Sequence, residues 1–293
     1  MEVAYTVCDS MLPAGEFRNQ SPEFWALVKL VSQELGYSHR ANRMEPSRIR
    51  AYTPADVIAA LGARGLKPVH QDKLADEVAR YSIARASILQ EQAEPNLMNR
   101  EQARKLFEDL KEQIEPPTGL LPMNKQRGDK RHFAYLTGIV NMLTWDMLTK
   151  RFGEARFDWN PRRPLTFSRD GMPLRTLFRW MDGAYPGLNQ PVAAWEIKEY
   201  YGTTTFGSRV ADGVYETALD GYELNELRDV GIEVEHYLFL DDRFTWWDCG
   251  KSYLCRIVDM MHIGLLNNAF VGREVIAEWP RIVEGWRAPS PGE

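Results

Sequence analysis

The sequence predicts a chain of α/β character: an α+β body with a mixed sheet, preceded by a helical amino-terminal subdomain. Three observations predict it. Helix-cap signals followed by apolar residues at helical spacing recur over residues 1–115. A run of small and β-favouring residues between Pro191 and Gly202 reads as a strand. After His132, helical and strand patterns alternate.

Ser21-Pro22 is a cap and first-turn pair, opening a helix that ends near Gly36. Phe24, Leu27, Val28, Val31 and Leu35 share one face of it. Thr53-Pro54 repeats the signal for a second helix with Val57, Ile58 and Leu61, closed by Gly62 or Gly65. A third helix spans about 71–90, and a fourth starts at Asn99 with Gln102 completing a capping box. The connection over 37–52 is longer than the turn of a helix-turn-helix. A helical subdomain is therefore expected over 1–115, with no named motif; its basic 37–50 stretch makes DNA contact its expected role. Residues 116–131 mix Pro, Gly and charge without periodicity, which predicts a linker whose leucines pack.

The body is expected over 132–293. A helix from about 133 to 152 carries Leu136, Ile139, Val140, Leu143 and Met147. A strand over 163–168 ends in an Arg169-Asp170-Gly171 turn. Leu174, Leu177, Phe178 and Met181 keep helical spacing, so a helical turn is expected there, with a strand from near Asp182. After the 191–202 strand come a polar loop at 203–208 and a helix over 210–230, its continuity weakened by Gly213 and Gly221. A strand over 234–240 ends in Asp241-Asp242, read as turn residues, and a long helix runs over 251–270.

Composition narrows the class. The chain has 293 residues, 44% hydrophobic and 26% charged, ordinary for a globular protein. Its three cysteines, Cys8, Cys249 and Cys255, form no CxxC or Cys/His cluster, which argues against zinc and disulfide scaffolds. No leader pattern or membrane-length apolar run is present, so a cytoplasmic protein without membrane contact is expected. The net charge of −5 argues against a generally basic nucleic-acid coat. Positive charge is nevertheless concentrated: Arg40, Arg43, Arg48 and Arg50 stand against Glu45 alone. Lys125 to Arg131 and Arg162-Arg163 are two further basic points. Each by itself reads as a solvated loop.

The chemistry sits in the 191–202 run. Alternation puts Glu196 and Lys198 on one face of that strand. Burying a carboxylate and an ammonium is costly unless they are paired. Asp182 stands fourteen positions upstream of Glu196, before a Gly and a Tyr-Pro turn that let the chain reverse. Asp182 with Glu196-x-Lys198 resembles the signature of the PD-(D/E)xK, restriction-endonuclease-like nucleases. The resemblance covers about 132–270 and implies their αβββαβ core. It implies that Asp182, Glu196 and the carbonyl of Ile197 hold Mg2+, with Mn2+ able to substitute. It places Lys198 beside the attacking water, to orient it, deprotonate it or stabilise the oxyanion.

The function expected on this basis is a metal-dependent DNA endonuclease of the type II restriction or phage-defence kind. Asp182, Glu196 and Lys198 would be its catalytic residues. Its partners would be double-stranded DNA and a second copy of the chain. Arg40, Arg43, Arg48, Arg50 and Arg209 are the expected DNA contacts; Arg209 follows a Thr-rich loop at a helix start, where phosphate can bind. Two rivals stand beside it: a non-catalytic nucleic-acid-binding subunit, and another activity on the same scaffold, such as junction resolution, transposon end cleavage or RNA cutting. Lesser candidates are Asp146 as an extra acidic ligand and Asp259 with His262 as an i, i+3 metal pair lacking an evident third ligand. Glu199 reads as structural, with a swing to the metal at a kinked strand end as its alternative; Tyr200 and Tyr201 read as core, with a substrate groove as theirs.

Overall fold

Ser21 opens α1 (Pro22–Leu35) as its side chain accepts the Phe24 N–H, and the helix ends at Gly36, whose φ is 84°. The structure, a computed structural model, describes residues 15–18, 20–39, 45–124, 132–201 and 207–288. A two-residue antiparallel ribbon follows α1, β1 (Ser38–His39) on β2 (Arg48–Ile49). Thr53 and Asp56 form a reciprocal capping box that starts α2 (Pro54–Ala63). The third helix, α3 (Gln71–Ser87), passes through a wider π-type turn over Ile88–Ala93 into the single-turn α4 (Glu94–Asn96). The expected Asn99/Gln102 capping box begins α5 (Arg100–Ile114). Phe24, Trp25, Val31, Val57 and Tyr81 form the core of α1 to α3.

Helix α5 packs on α6 (Tyr135–Phe152), with Phe107 and Leu110 against Ile139 and Leu143. Gly138 permits the approach, since a Cβ there would lie 2.4 Å from the Phe107 ring. The stretch 116–124 is packed: Leu120 is buried and its carbonyl accepts from the Asn141 amide at 3.0 Å.

Next comes a hairpin, β3 (Thr166–Arg169) and β4 (Met172–Thr176), turning at Asp170 and Gly171 with φ of 51° and 77°. This corrects the helical turn expected from residue 173. The Asp-Gly turn commits the chain to a second strand, and the spacing of Leu174 and Phe178 marks no buried stripe, because both are exposed.

The main sheet has four strands in the order β5 (Gly183–Tyr185), β6 (Ala193–Glu199), β7 (Glu235–Asp241), β8 (Asn268–Val271). The first pair is antiparallel and the other two are parallel. The crossovers carry α7 (Ser208–Arg228) and α8 (Lys251–Ile263), and α9 (Val275–Gly285) closes the described fold. Trp195 and Ile197 of β6 pack with α6 and α9, around Trp279. Ala194 packs with Leu224 and Leu227 of α7, so Glu196 and Lys198 share the α7 side. Helices therefore cover both faces of a mixed sheet. Among the described residues no helix is long and apolar enough to cross a membrane.

Of two further expectations, the helix over 210–230 holds and the extent of the 251–270 helix changes. Helix α7 is continuous through Gly213 and Gly221; a Cβ at 221 would meet the Leu265 carbonyl oxygen at 2.6 Å, so that glycine serves close packing. The helix expected to reach 270 stops at Gly264, whose φ of 87° caps it, and its last residues become β8. Short apolar runs do not distinguish strand from helix by spacing alone.

Strand β7 also buries His236, whose Nδ1 lies 2.9 Å from the Leu265 carbonyl. Burial lowers its pKa from 6.5 to about 4. The unfolded chain therefore takes up a proton there between those pH values while the folded chain does not. Stability falls as pH falls through that window, by about 3 kcal/mol for this group. His236→Asn keeps a donor near the Nδ1 position and does not titrate. In urea melts, the stability gap should shift by about 3 kcal/mol toward the variant between pH 7 and pH 4; a constant gap would contradict this.

Candidate active site

Asp182 lies one residue before β5, and its Oδ2 accepts the backbone N–H of Ile197 at 2.8 Å. That N–H belongs to the residue between Glu196 and Lys198. Glu196, only 1% exposed, accepts from the Lys198 ammonium at 2.7 Å. The three residues of the Asp…Glu-x-Lys pattern are thus held at one strand end, with the backbone of Ile197 among them.

The cluster is larger than the motif. Arg179, in the connection between β4 and β5, contacts three carboxylates: Asp220 at 2.7 Å, Glu216 at 3.0 Å and Glu196 at 3.6 Å. Glu216 also lies 3.3 Å from Lys198. Both acids of α7 sit one helical turn apart and face β6. Gly213, a turn earlier, leaves room for the Lys198 stem, whose Cδ and Cε would be 3.4 Å from a Cβ there.

Electrostatics follow from crowding. The Asp182 residue is exposed over much of its surface, while its Oδ2 is tied to the Ile197 N–H at the sheet end. Desolvation, then repulsion from Glu196, pushes it up to about 7. The same two causes raise Asp220 to about 7. Desolvation works against the Lys198 ammonium, but Glu196 and Asp182 outweigh it and its pKa lies above the ordinary lysine value. Four carboxylates and two cations leave the cluster formally two charges negative. Glu196 Oε1 and Asp220 Oδ1 are buried and accept no hydrogen bond.

A cleft of about 390 Å³ opens beside it, lined by Asn124, Trp159, Asp182, Ile197, Glu199 and Arg209 among others. Asp182 therefore borders both the cluster and the cleft, and Arg209, at the start of α7, faces the same space. Glu199 is a helix anchor. Its carboxylate accepts the N–H of Tyr135 at 2.7 Å and of Thr137 at 3.0 Å, capping the start of α6. Burial pushes its carboxyl up to about 7 against those donors.

The other candidates have structural partners. Asp259 accepts from Arg85 at 3.1 Å and from the Tyr81 hydroxyl at 2.6 Å, while His262 bonds the Val258 carbonyl at 2.8 Å. Asp146 pairs with Lys150 on the surface of α6. Asp241 accepts the Met98 N–H at 3.0 Å and the Tyr201 hydroxyl, so it ties β7 to the chain leading into α5 rather than ending a turn. Asp242 accepts the Thr245 N–H. Tyr200 and Tyr201 are buried in the two cores.

Arg40 and Arg43 lie outside the described residues. Arg48 is exposed beside Glu45, and Arg50 donates to the Leu35 carbonyl, an internal role. Arg48 borders a second cleft of about 510 Å³ with Arg243 and Lys251, which shares no lining residue with the first.

The elements that build the charged cluster fall within one family match. A profile described as "Domain of unknown function (DUF7687)" matches residues 98–286. The chain belongs to this family. A second, "Domain of unknown function (DUF7690)", matches residues 11–92. No curated protein and no solved structure matches the chain. The DUF7687 region contains Asp182, Glu196, Lys198, Arg179, Glu216 and Asp220, and the DUF7690 region contains the Arg40 to Arg50 segment. Of these, Arg179, Glu216 and Asp220 were missed by the motif. One signal was available: Asp220 falls on the stripe of Gly213, Thr217 and Leu224, an acid on the buried side of a helix.

Proposed function

We propose that the chain is a divalent-metal-dependent nuclease of PD-(D/E)xK type that hydrolyses phosphodiester bonds of double-stranded DNA. The observation that carries this reading is the hydrogen bond from the Ile197 N–H to Asp182, which joins the upstream Asp to the Glu196-x-Lys198 strand. The run β5, β6, α7, β7 matches the latter part of an αβββαβ core, while the two preceding strands, β3 and β4, form a hairpin of their own outside the main sheet. The donor types suit a hard cation: they are all oxygen, carry negative charge, and include one buried carboxylate oxygen, Glu196 Oε1, that accepts no hydrogen bond; among the described residues no group of three or more His, Cys, Asp or Glu side chains is gathered as an ion site. Asp182, Glu196 and the Ile197 carbonyl would hold Mg2+ or Mn2+. Such an ion, once bound, offsets negative charge on the phosphate oxygens and activates water. Lys198, paired with Glu196, would offer positive charge to the charge that develops on attack; of the three motif residues, Asp182 is the one that lines the cleft. Arg209, across the cleft from the strand end, supplies a phosphate contact.

With one motif per chain and two strands to cut, the proposed assembly is a two-fold homodimer, as expected for a restriction or phage-defence enzyme. The test is incubation of the full chain with duplex, branched and single-stranded DNA and with RNA, in magnesium or manganese. Metal-dependent cutting of duplex DNA is expected. No cleavage of any substrate, together with no metal binding, would overturn the proposal. Preferential cutting of branched DNA or RNA would instead select a resolvase, transposon-end or ribonuclease activity.

A second reading, a non-cleaving DNA-binding subunit, draws on the burial of Glu196 and its ion pairs with Lys198 and Arg179. DNA binding without cleavage would select it. Under either reading, neutralising Arg40, Arg43 and Arg48 should weaken DNA binding. The salt slope should become shallower by about one unit for each phosphate that is no longer neutralised. Neutralising Arg50 should cost stability as well, because of its bond to Leu35. An unchanged slope would remove that segment from the interface.

A further inference from the structure

The cation-bearing part of the cluster is unusual in one respect. The guanidinium of Arg179 stands among Glu196, Glu216 and Asp220, where its fork satisfies one oxygen of Asp220 at 2.7 Å and one of Glu216 at 3.0 Å. The approach to Glu196 is looser, 3.6 Å, and makes no hydrogen bond. Two buried oxygens, Glu196 Oε1 and Asp220 Oδ1, accept nothing, although both side chains are at least nine-tenths buried. A buried carboxylate oxygen without a donor is costly. Both therefore remain available to a small cation that a planar guanidinium does not satisfy. Arg179 is the cation of the cluster nearer solvent: its side chain is 24% exposed against 12% for Lys198, and its Glu216 partner is 40% exposed.

We propose that Asp220 belongs to the divalent-cation site of this protein, together with Glu196, and that Arg179 is an internal counter-ion exchanged for the metal. This rests on the metal-dependent reading above and extends it to two residues outside the Asp…Glu-x-Lys pattern. Metal entry and withdrawal of the guanidinium form one exchange, because the two buried carboxylates, Glu196 and Asp220, would otherwise be left with Lys198 as their one nearby cation among the described residues. Arg179 therefore sets the metal affinity and protects the fold when metal is scarce.

The test is Mn2+ binding to the full chain by titration calorimetry, with thermal melts in Mn2+ and in EDTA. Arg179→Met should bind Mn2+ about 10-fold more tightly, since the competing cation is gone. It should melt lower than the parent in EDTA and regain that loss in Mn2+. Asp220→Asn should bind about 10-fold more weakly. Arg179→Lys keeps the charge and serves if the Met variant does not fold; its affinity should fall between those of the parent and a released site, with the same recovery by Mn2+. Equal Mn2+ affinity in the parent, the Arg179 variant and Asp220→Asn, with loss only in Asp182→Asn, would overturn this proposal and leave the nuclease reading intact. No Mn2+ binding by any of these proteins would overturn both.

Discussion

Lys198→Met should lower the rate of DNA strand cleavage by about 1,000-fold, roughly 4 kcal/mol of transition-state stabilisation. DNA affinity should change little. The methionine keeps the stem that lies against Gly213 and removes only the charge that Glu196 and Glu216 surround. Single-turnover cleavage at saturating enzyme separates this from a binding defect. Mn2+ binding should persist, because Lys198 donates to the carboxylates and is no oxygen ligand. A variant that cleaves within about 10-fold of the parent would exclude Lys198 from the chemistry. Asp182→Asn, by contrast, should lose both cleavage and metal.

The second large effect lies far along the chain from that site. Arg85→Met and Asp259→Asn should each destabilise the fold by about 3–5 kcal/mol, because each leaves a buried partner uncompensated. Arg85 of α3 is fully buried and meets Asp259 of α8 at 3.1 Å. Its guanidinium also lies 4.9 Å from the Tyr37 ring centroid and 5.6 Å from that of Tyr81. The pair joins the DUF7690 region to the DUF7687 region. The double variant Arg85→Met/Asp259→Leu should be more stable than either single one, since no charge is then stranded. Urea midpoints measure all three. Single variants within about 1 kcal/mol of the parent would show that the pair is solvated in practice.

What the sequence made legible follows from range. Ser21, Thr53 and Asn99 announced their helices correctly because a cap acts over three residues. The alternation of 193–199 gave the strand and the common face of Glu196 and Lys198. The Asp259–His262 spacing pointed toward a metal, but the partner that decides Asp259 is Arg85, 174 positions away. Arg179 was obscured in the same manner: its meaning comes from α7, which spacing within 173–181 does not contain. Strand β8 was hidden because its pairing with β7 is tertiary, while Asn268 to Val271 alone carries no strand-specific period.

The cap that Glu199 places on α6 has a mechanical consequence. Strand β6 is gripped on one face by the start of α6, through Glu199, and on the other by α7, through Lys198 and Glu216. It behaves as a fixed anvil between two helices. The short connection before β5 carries Arg179 and is flanked by Phe178 and Trp180, both open to solvent. Between its buried ends, Leu177 and Met181, the connection around Arg179 is thus held by less packing than the strand that it faces.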